Sequence, residues 1–228
     1  MYKIVKRIMD LLLAVIALII LMPIFILVTI ILLITGEHEV FFFQKRIGFQ
    51  NKPFYIWKFA TMLKNSPNMG TGIITLRHDP RVTPFGKFLR ISKINELPQI
   101  INVILGNMSI VGPRPLMQQS FELYDNEIRS IIYKSKPGIT GIGSLVFRDE
   151  EKIISLSKDP KQMYQHIYPY KGALEMWYYQ HASFLTDSKI IILTAYSVLF
   201  NNNNLTPKIF KDLPENNTFN LNTAAISN

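Results

Sequence analysis

From Leu11 to Ile34 the chain carries no charged side chain, and Thr29 is the one polar residue in the run. A straight helix over that stretch crosses the roughly 30 Å of hydrocarbon in a bilayer, so any fold must set this segment against lipid or bury it against protein. It does not read as a cleavable leader, because the run is long and no small-x-small site ends it. Pro23 sits near its middle, where it removes a backbone donor and crowds the preceding turn, which predicts a kink or break. Lys3, Lys6 and Arg7 precede the run and Lys45, Arg46, Lys52 and Lys58 follow it, so the positive-inside rule is balanced between the two flanks. Two topologies stay open: a simple span, and a segment that enters and returns on one face with its apex amides internally bonded. Asp10 is expected to cap the helix or to pair with Lys6 or Arg7.

The 228 residues suffice for one domain plus an appendage. At 48% hydrophobic and 18% charged residues the chain is too polar for a bundle of spans and too apolar for an ordinary soluble domain, which points to one membrane segment and one globular part. With no cysteine, disulfides and thiolate metal sites are excluded. His38, His78, His166 and His181 have no zinc-ligand spacing. The net charge of +9 favours anionic partners: lipid headgroups, nucleotides or nucleic acid. Nucleic acid is not expected, since no reading element accompanies the charge.

After Gly36, Glu39–Arg46 and Pro53–Phe59 flank a turn at Gly48–Lys52 and predict a β-hairpin rich in aromatics. Asn65–Thr71 is a loop. Pro84–Arg90 and Asn95–Leu105 have helical apolar spacing, with Leu97, Ile101, Ile104 and Leu105 grouping on one side. Gly106 stops that helix, and Gly112-Pro113-Arg114-Pro115 is compatible with neither a regular helix nor a central strand. Helices are predicted over Leu116–Ser135, Glu150–Tyr168 and Ala173–Leu185, with Lys189–Phe200 apolar enough to pack on the domain or lie along a membrane. The asparagine-rich stretch from Asn201 to Asn228 has little apolar content and is read as a disordered tail.

Three polar clusters are candidates for chemistry: Asp79–Thr83 with Gly86, Lys87 and Arg90; Asn95–Gln99 with Asn102; and Gly106–Ser109 running into Gly112–Pro115. Arg81, Lys87, Arg90 and Arg114 have the donor geometry for phosphate oxygens, and two prolines hold the backbone of Arg114. Glu96 suits a divalent cation or acid-base work, and equally a helix cap. Neither GxGxxG nor GxxxxGK[ST] occurs.

These blocks, in order, resemble the bacterial sugar transferases that act as monotopic phosphoglycosyl transferases. The likeness is carried by Lys6-Arg7 with Asp10, Arg46-Ile47-Gly48, Lys52-Pro53-Phe54, Lys58-Phe59, Asp79–Thr83, Asn95–Asn102, Gly106–Pro115 and Lys136–Gly141, and it runs to about Phe200. The resemblance implies an α+β fold, with a mainly helical catalytic domain and small β-hairpin at 37–200. A reentrant membrane helix at 1–36, broken at Pro23, would anchor it, and a tail at 201–228 would follow. It implies transfer of a sugar-1-phosphate from a UDP-sugar to polyprenyl phosphate with release of UMP, initiating surface polysaccharide or glycan synthesis. The site would lie on the cytoplasmic face of the inner membrane, against anionic lipid, with Mg²⁺ held in part by Glu96. Arg81 and Arg114, then Lys58 and Arg90, are the expected phosphate contacts; homo-oligomerisation is open.

In that family an aspartate before the glutamate is understood to attack the substrate phosphate and form a covalent phosphosugar intermediate. That position is Asn95 here, and Ala60 and Asn107 also replace an arginine and an acid of the family pattern. An amide oxygen is a far poorer nucleophile than a carboxylate. Three accounts follow: a replacement that disables the protein, a natural binding or regulatory relative without catalysis, or Glu96 acting in place of the missing carboxylate.

Overall fold

A computed structural model of the chain describes residues 2–66, 79–200 and 205–216. The end of the Asn65–Thr71 loop, His78, and residues 201–204 and 217–228 of the expected tail lie outside them.

The long apolar segment forms α1, Tyr2–Ile34. Its buried positions after Asp10 are Ala14, Phe25, Val28 and Leu32, with Leu18 and Leu21 partly buried between them. Steps of four and three residues, the heptad period, keep these side chains on one stripe of a helix. The stripe packs on Ile56, Ile100, Val103 and Met108 at one end and on Phe59 and Leu89 at the other. Each such side chain contributes roughly 1.5–3 kcal/mol when fully buried. The break expected at Pro23 is not present: α1 is helical throughout. A proline inside a helix deletes one hydrogen bond, and docking of Leu18 and Leu21 before it and Phe25 and Val28 after it holds the two halves to one surface.

The N-terminal end of α1 is fixed by polar contacts instead. Lys6 Nζ lies 2.6 Å from Asp187, Tyr2 donates to the same carboxylate at 2.8 Å, and Arg7 donates to the carbonyls of Val103 and Ile104 at 2.6 and 3.0 Å. Asp10 neither caps the helix nor pairs with Lys6 or Arg7; it accepts the Ile110 amide at 3.0 Å. The opposite face of α1 presents Ile8, Leu12, Ile16, Ile19, Leu27, Ile30 and Leu33 to the exterior.

The predicted hairpin is present as β1, Phe41–Ile47, and β2, Pro53–Phe59, antiparallel with Phe41 opposite Phe59 and Ile47 opposite Pro53. A Cβ on Gly48 would come within 2.6 Å of the Phe54 ring, so this turn position requires glycine. Thr83 caps α2, Pro84–Ile91, by accepting the Gly86 amide at 3.0 Å, with Pro84 in the first turn where its missing donor costs nothing.

The single helix expected over Asn95–Leu105 is two elements: a 3₁₀ turn, Ile94–Glu96, and α3, Gln99–Leu105. Lys93 in the left-handed region (φ 60°) starts the 3₁₀ turn, and Leu97 and Pro98 separate it from α3. Ile100 and Val103 are the buried pair of α3, while Leu105 is exposed. Gly106, at φ 86°, ends α3 as expected.

The short strand β3, Ser109–Val111, runs parallel to β4, Gly138–Thr140, with Ser109 opposite Gly138. Between them, the helix expected over Leu116–Ser135 is interrupted into α4, Gln118–Phe121, and α5, Asn126–Ile131, because Asp125 accepts the Ile128 amide and starts a new helix. The remaining helices are α6 (Ile142–Val146), α7 (Glu150–Ser155), α8 (Pro160–His166), α9 (Tyr168–His181) and α10 (Phe184–Phe200). Asp159 caps α8 and thereby divides the helix predicted over Glu150–Tyr168. Tyr168, Leu174, Trp177 and Tyr178 of α9 anchor the main core.

Part of the expected disordered tail is docked. A turn of helix, α11 (Thr206–Ile209), leads to Phe210, buried edge-on to Trp177 at 5.3 Å, and the Trp177 indole donates to Asp212 at 3.1 Å. Leu205, Phe210 and Leu213 supply apolar contact that the asparagine content masks.

Candidate active site

Lys58 leaves β2, Glu96 ends the 3₁₀ turn, and Arg114 stands in the Gly-Pro-Arg-Pro loop; the fold brings the three together. Lys58 Nζ and Arg114 Nη2 each lie 3.2 Å from Glu96 Oε1. Each is positioned by a nearby clamp. Asn102 of α3 accepts the Trp57 amide at 2.9 Å and donates to the Tyr55 carbonyl at 2.8 Å, fixing β2 next to Lys58. The Tyr133 hydroxyl donates to the Arg114 carbonyl at 2.8 Å and accepts the Leu116 amide at 2.9 Å, closing the loop around Arg114. Gly112 is packed where a Cβ would meet the Lys136 carbonyl oxygen at 2.3 Å, so the loop can approach β4 only as glycine.

Burial by itself would raise the Glu96 carboxyl, but Lys58, Arg114 and Lys93 overcome it and hold the acid well below the usual carboxylate range. Burial draws Lys58 down to about 8 despite Glu96, with Arg46 and Arg114 adding to the effect. Arg46 is likewise lowered, to about 10, by burial and by Arg114. Three cations thus converge on one carboxylate in a poorly solvated place, where an incoming dianion gains far more than it would in water.

The site opens on a cavity of about 700 Å³, within the range of small-molecule sites, which run roughly 300–1,000 Å³. Arg46, Lys58, Arg90, Lys93, Arg114 and Arg148 line it, so basic side chains dominate that part of the wall. Arg148 Nη1 and Arg46 Nε are buried without a hydrogen-bond partner among the described residues. Asn95 lines the cavity, is 7% exposed, and keeps an unpartnered Oδ1.

Of the residues singled out from sequence, Asn95, Glu96, Lys58, Arg90 and Arg114 line this cavity. Arg81 does not share their ion-pair cluster. It is 2% exposed, pairs with Asp79 at 2.6 Å and donates to the Ser66 carbonyl at 3.1 Å, so its guanidinium braces the chain before α2. Pro23 is on the outer part of α1.

Another set of lining residues escaped the sequence reading. Glu175 of α9 is 5% exposed; the Arg114 amide donates to it, and Oε2 has no partner among the described residues. Burial pushes this carboxyl up to about 7. Lys171, one turn before it, pairs with Glu150 at 2.8 Å and lies 4.9 Å from the centre of the Tyr168 ring. The available signal was periodicity: Tyr168, Lys171, Glu175 and Tyr178 fall on one helical face, so two charges occupy the core side of α9.

No group of three or more His, Asp or Glu side chains able to hold a metal occurs among the described residues. Glu96 and the Asn95 Oδ1 are two oxygen donors on one turn. Magnesium is commonly bound through one or two carboxylates completed by substrate phosphates and water, so this pair fits only as part of a site that a diphosphate completes.

Comparison with known proteins places the chain in a family. The exopolysaccharide production protein ExoY of Sinorhizobium fredii is 32% identical over 207 residues, covering 85% of this chain and 84% of that protein. The UDP-glucose:undecaprenyl-phosphate glucose-1-phosphate transferase of Xanthomonas campestris pv. campestris is 35% identical over 201 residues, 87% of this chain but 39% of the relative. A UDP-N-acetylgalactosamine-undecaprenyl-phosphate N-acetylgalactosaminephosphotransferase of Aeromonas hydrophila is 37% identical over 147 residues, 64% of this chain and 34% of that protein. The chain therefore spans about two fifths of the first of these two transferases and about a third of the second. Residues 1–201 match the family described as bacterial sugar transferase, and the chain belongs to that family.

Proposed function

We propose that the protein moves a sugar-1-phosphate from a UDP-sugar to a polyprenyl phosphate, releasing UMP, at a site held against one face of a membrane. The part-buried Lys58–Glu96–Arg114 cluster carries this reading: it presents preorganised donors to a diphosphate and opens on a cavity of the right size. Relatives in the same family, which include a UDP-glucose and a UDP-N-acetylgalactosamine transferase, support it.

The membrane arrangement follows from the stripe on α1. A helix docked along its length to one domain cannot send its C-terminal half to the far side of the bilayer without leaving Phe25, Val28 and Leu32 unpartnered. We therefore place α1 lying along one leaflet on the cytoplasmic face, its unbroken helix immersed on one side only, with Ile16, Ile19, Leu27 and Ile30 in hydrocarbon. The headgroup-level phosphate of the lipid acceptor then meets a water-soluble donor without either crossing the membrane. Lys3 and Lys45 face anionic headgroups.

Arg114, Lys58 and Arg148 bind and orient the diphosphate, and Arg46 and Arg90 add to the positive field. Mg²⁺, if it enters with the nucleotide, would be held by Glu96 and the Asn95 Oδ1 and would neutralise phosphate charge. Arg81 acts through structure rather than contact. A carboxylate at position 95 would form a bond to the sugar-bearing phosphorus as the bond to UMP breaks, and the lipid phosphate oxygen would then displace the carboxylate. Asn95 has no charge for that attack, and Glu96 has both cations on Oε1. The chain as it stands therefore binds both substrates and transfers the sugar phosphate slowly.

UMP release in the presence of UDP-sugar, polyprenyl phosphate and Mg²⁺ tests this. Asn95→Asp should raise turnover by at least about 100-fold, the scale of a restored, well-placed nucleophile. Turnover by neither protein, with substrate binding intact, would favour the second reading, a membrane-bound protein that retains the site for binding or regulation. The unpartnered Asn95 Oδ1 is the observation behind that reading.

A further inference from the structure

The contacts around Arg114 give the cavity two chemically different ends. On one side its guanidinium meets Glu96 and Lys58; on the other its amide donates to Glu175, and beyond Glu175 the wall carries hydroxyls. Ser120 and Tyr164 are 2.7 Å apart, and Tyr164 and Tyr168 are 2.8 Å apart. The Tyr168 ring packs against Tyr124 and Tyr164 at 5.2 and 5.1 Å between centroids, so these tyrosines are packed on one another and present oxygens. A base needs a free aromatic face or a paired donor-acceptor edge; a polyhydroxylated ring needs scattered acceptors and donors over modest apolar contact. The second description fits this end.

Glu175 is the group that most needs a partner. It is 5% exposed, and its Oε2 is buried and unpartnered among the described residues. Such an orphan is costly unless something occupies it. Gly143 faces it so closely that a Cβ there would lie 2.5 Å from Oε1, and the neighbouring Ser144 Oγ is also unpartnered. Glycine at 143 thus lets the carboxyl sit close against α6, with unpartnered oxygens on both sides of the contact.

We propose that this chamber takes the sugar ring of the nucleotide sugar, with Glu175 Oε2 accepting a hydrogen bond from a ring hydroxyl. Glu175 is then a specificity-determining residue for the sugar, separate from the cations that hold the diphosphate. The assignment rests on the donor being a UDP-sugar, as proposed above.

Calorimetric titration of the detergent-solubilised full chain with UDP and with UDP-glucose separates the two ideas. UDP-glucose is the chosen probe because its sugar carries free hydroxyls at the 2, 3, 4 and 6 positions. Glu175→Gln, which keeps the shape but turns one acceptor into a donor, should weaken UDP-glucose about tenfold or more and leave UDP within about twofold. Tyr164→Phe, a milder change remote from the diphosphate, should weaken UDP-glucose about threefold, again without affecting UDP. If both variants weaken UDP as much as UDP-glucose, the chamber holds the nucleoside or phosphates and the proposal fails. It fails too if neither variant changes UDP-glucose binding. Should the unaltered protein bind neither UDP nor UDP-glucose, the nucleotide-sugar reading itself falls, which is a different result from either of these.

Discussion

A carboxylic acid buried at Glu175 makes stability depend on pH in a calculable way. Burial raises its pKa from 4.5 to about 7, so between those values the folded state holds a proton that the unfolded chain has lost. The folded state binds more protons there, and stability falls as pH rises through that window. The raised pKa spans roughly 2.5 units at about 1.4 kcal/mol each, so this one residue should remove about 3 kcal/mol of stability between pH 4.5 and pH 7.5. The Glu175→Gln protein mimics the protonated acid and lacks this term. Thermal unfolding of both proteins should therefore give similar midpoints near pH 5 and a gap of roughly 6–12 °C in favour of the variant at pH 8, taking about 2–4 °C per kcal/mol for a domain of this size. Lys58 does not confuse the comparison: its pKa is lowered to about 8, so its own contribution appears above that pH, where stability rises toward the lysine's ordinary value. Midpoints that stay parallel from pH 5 to pH 8 would refute the burial argument for Glu175.

Glu96→Gln leaves Lys58 beside Arg46 and Arg114 without its carboxylate, and should cost about 1–3 kcal/mol in denaturant unfolding, below the scale of a fully buried pair because the cluster is partly open to solvent. Asn102→Ala removes both hydrogen bonds that fix β2 next to Lys58; about 1–3 kcal/mol is expected, together with weaker UDP binding measured by calorimetry. Gly86→Ala would drive a Cβ to within 2.2 Å of the Thr61 carbonyl oxygen, so its chemical denaturation midpoint should fall by the equivalent of about 1–3 kcal/mol. Asp187→Asn weakens the contacts of Lys6, Tyr2 and Tyr178 with a fully buried carboxylate and should loosen the start of α1, read as faster proteolysis there.

Features with a local cause were legible in the sequence. The hairpin followed from two apolar runs around Gly48–Lys52, α2 from the helical spacing that begins at Pro84, and the end of α3 from Gly106. Errors came where the cause lies elsewhere in the fold. The face of α3 is set by its docking on Ala14, distant in sequence, and Leu105 ends outside. Asp125 and Asp159 act as caps only in a backbone conformation that residue type alone does not fix. Pro23 was read as a break because the stripe that stabilises both sides of it depends on partners in β2 and α2.

The same division applies to the site. Glu96, Lys58 and Arg114 were recognisable as candidates, and the fold joins them. Arg81 was equally plausible by residue type, but its neighbour Asp79 claims it. Glu175 and Lys171 were hidden inside an apolar helix, where the charged pair on the core face of α9 was the overlooked clue.

Everything functional rests on a diphosphate settling among Lys58, Arg114 and their neighbouring cations. Calorimetric titration of UDP into the intact protein, compared with the Arg114→Gln variant, addresses that directly. The expected result is saturable binding to the intact protein, weakened about 10–100-fold in the variant, as for loss of a charge-assisted contact. UDP bound with equal affinity by both proteins, or by neither, would contradict it.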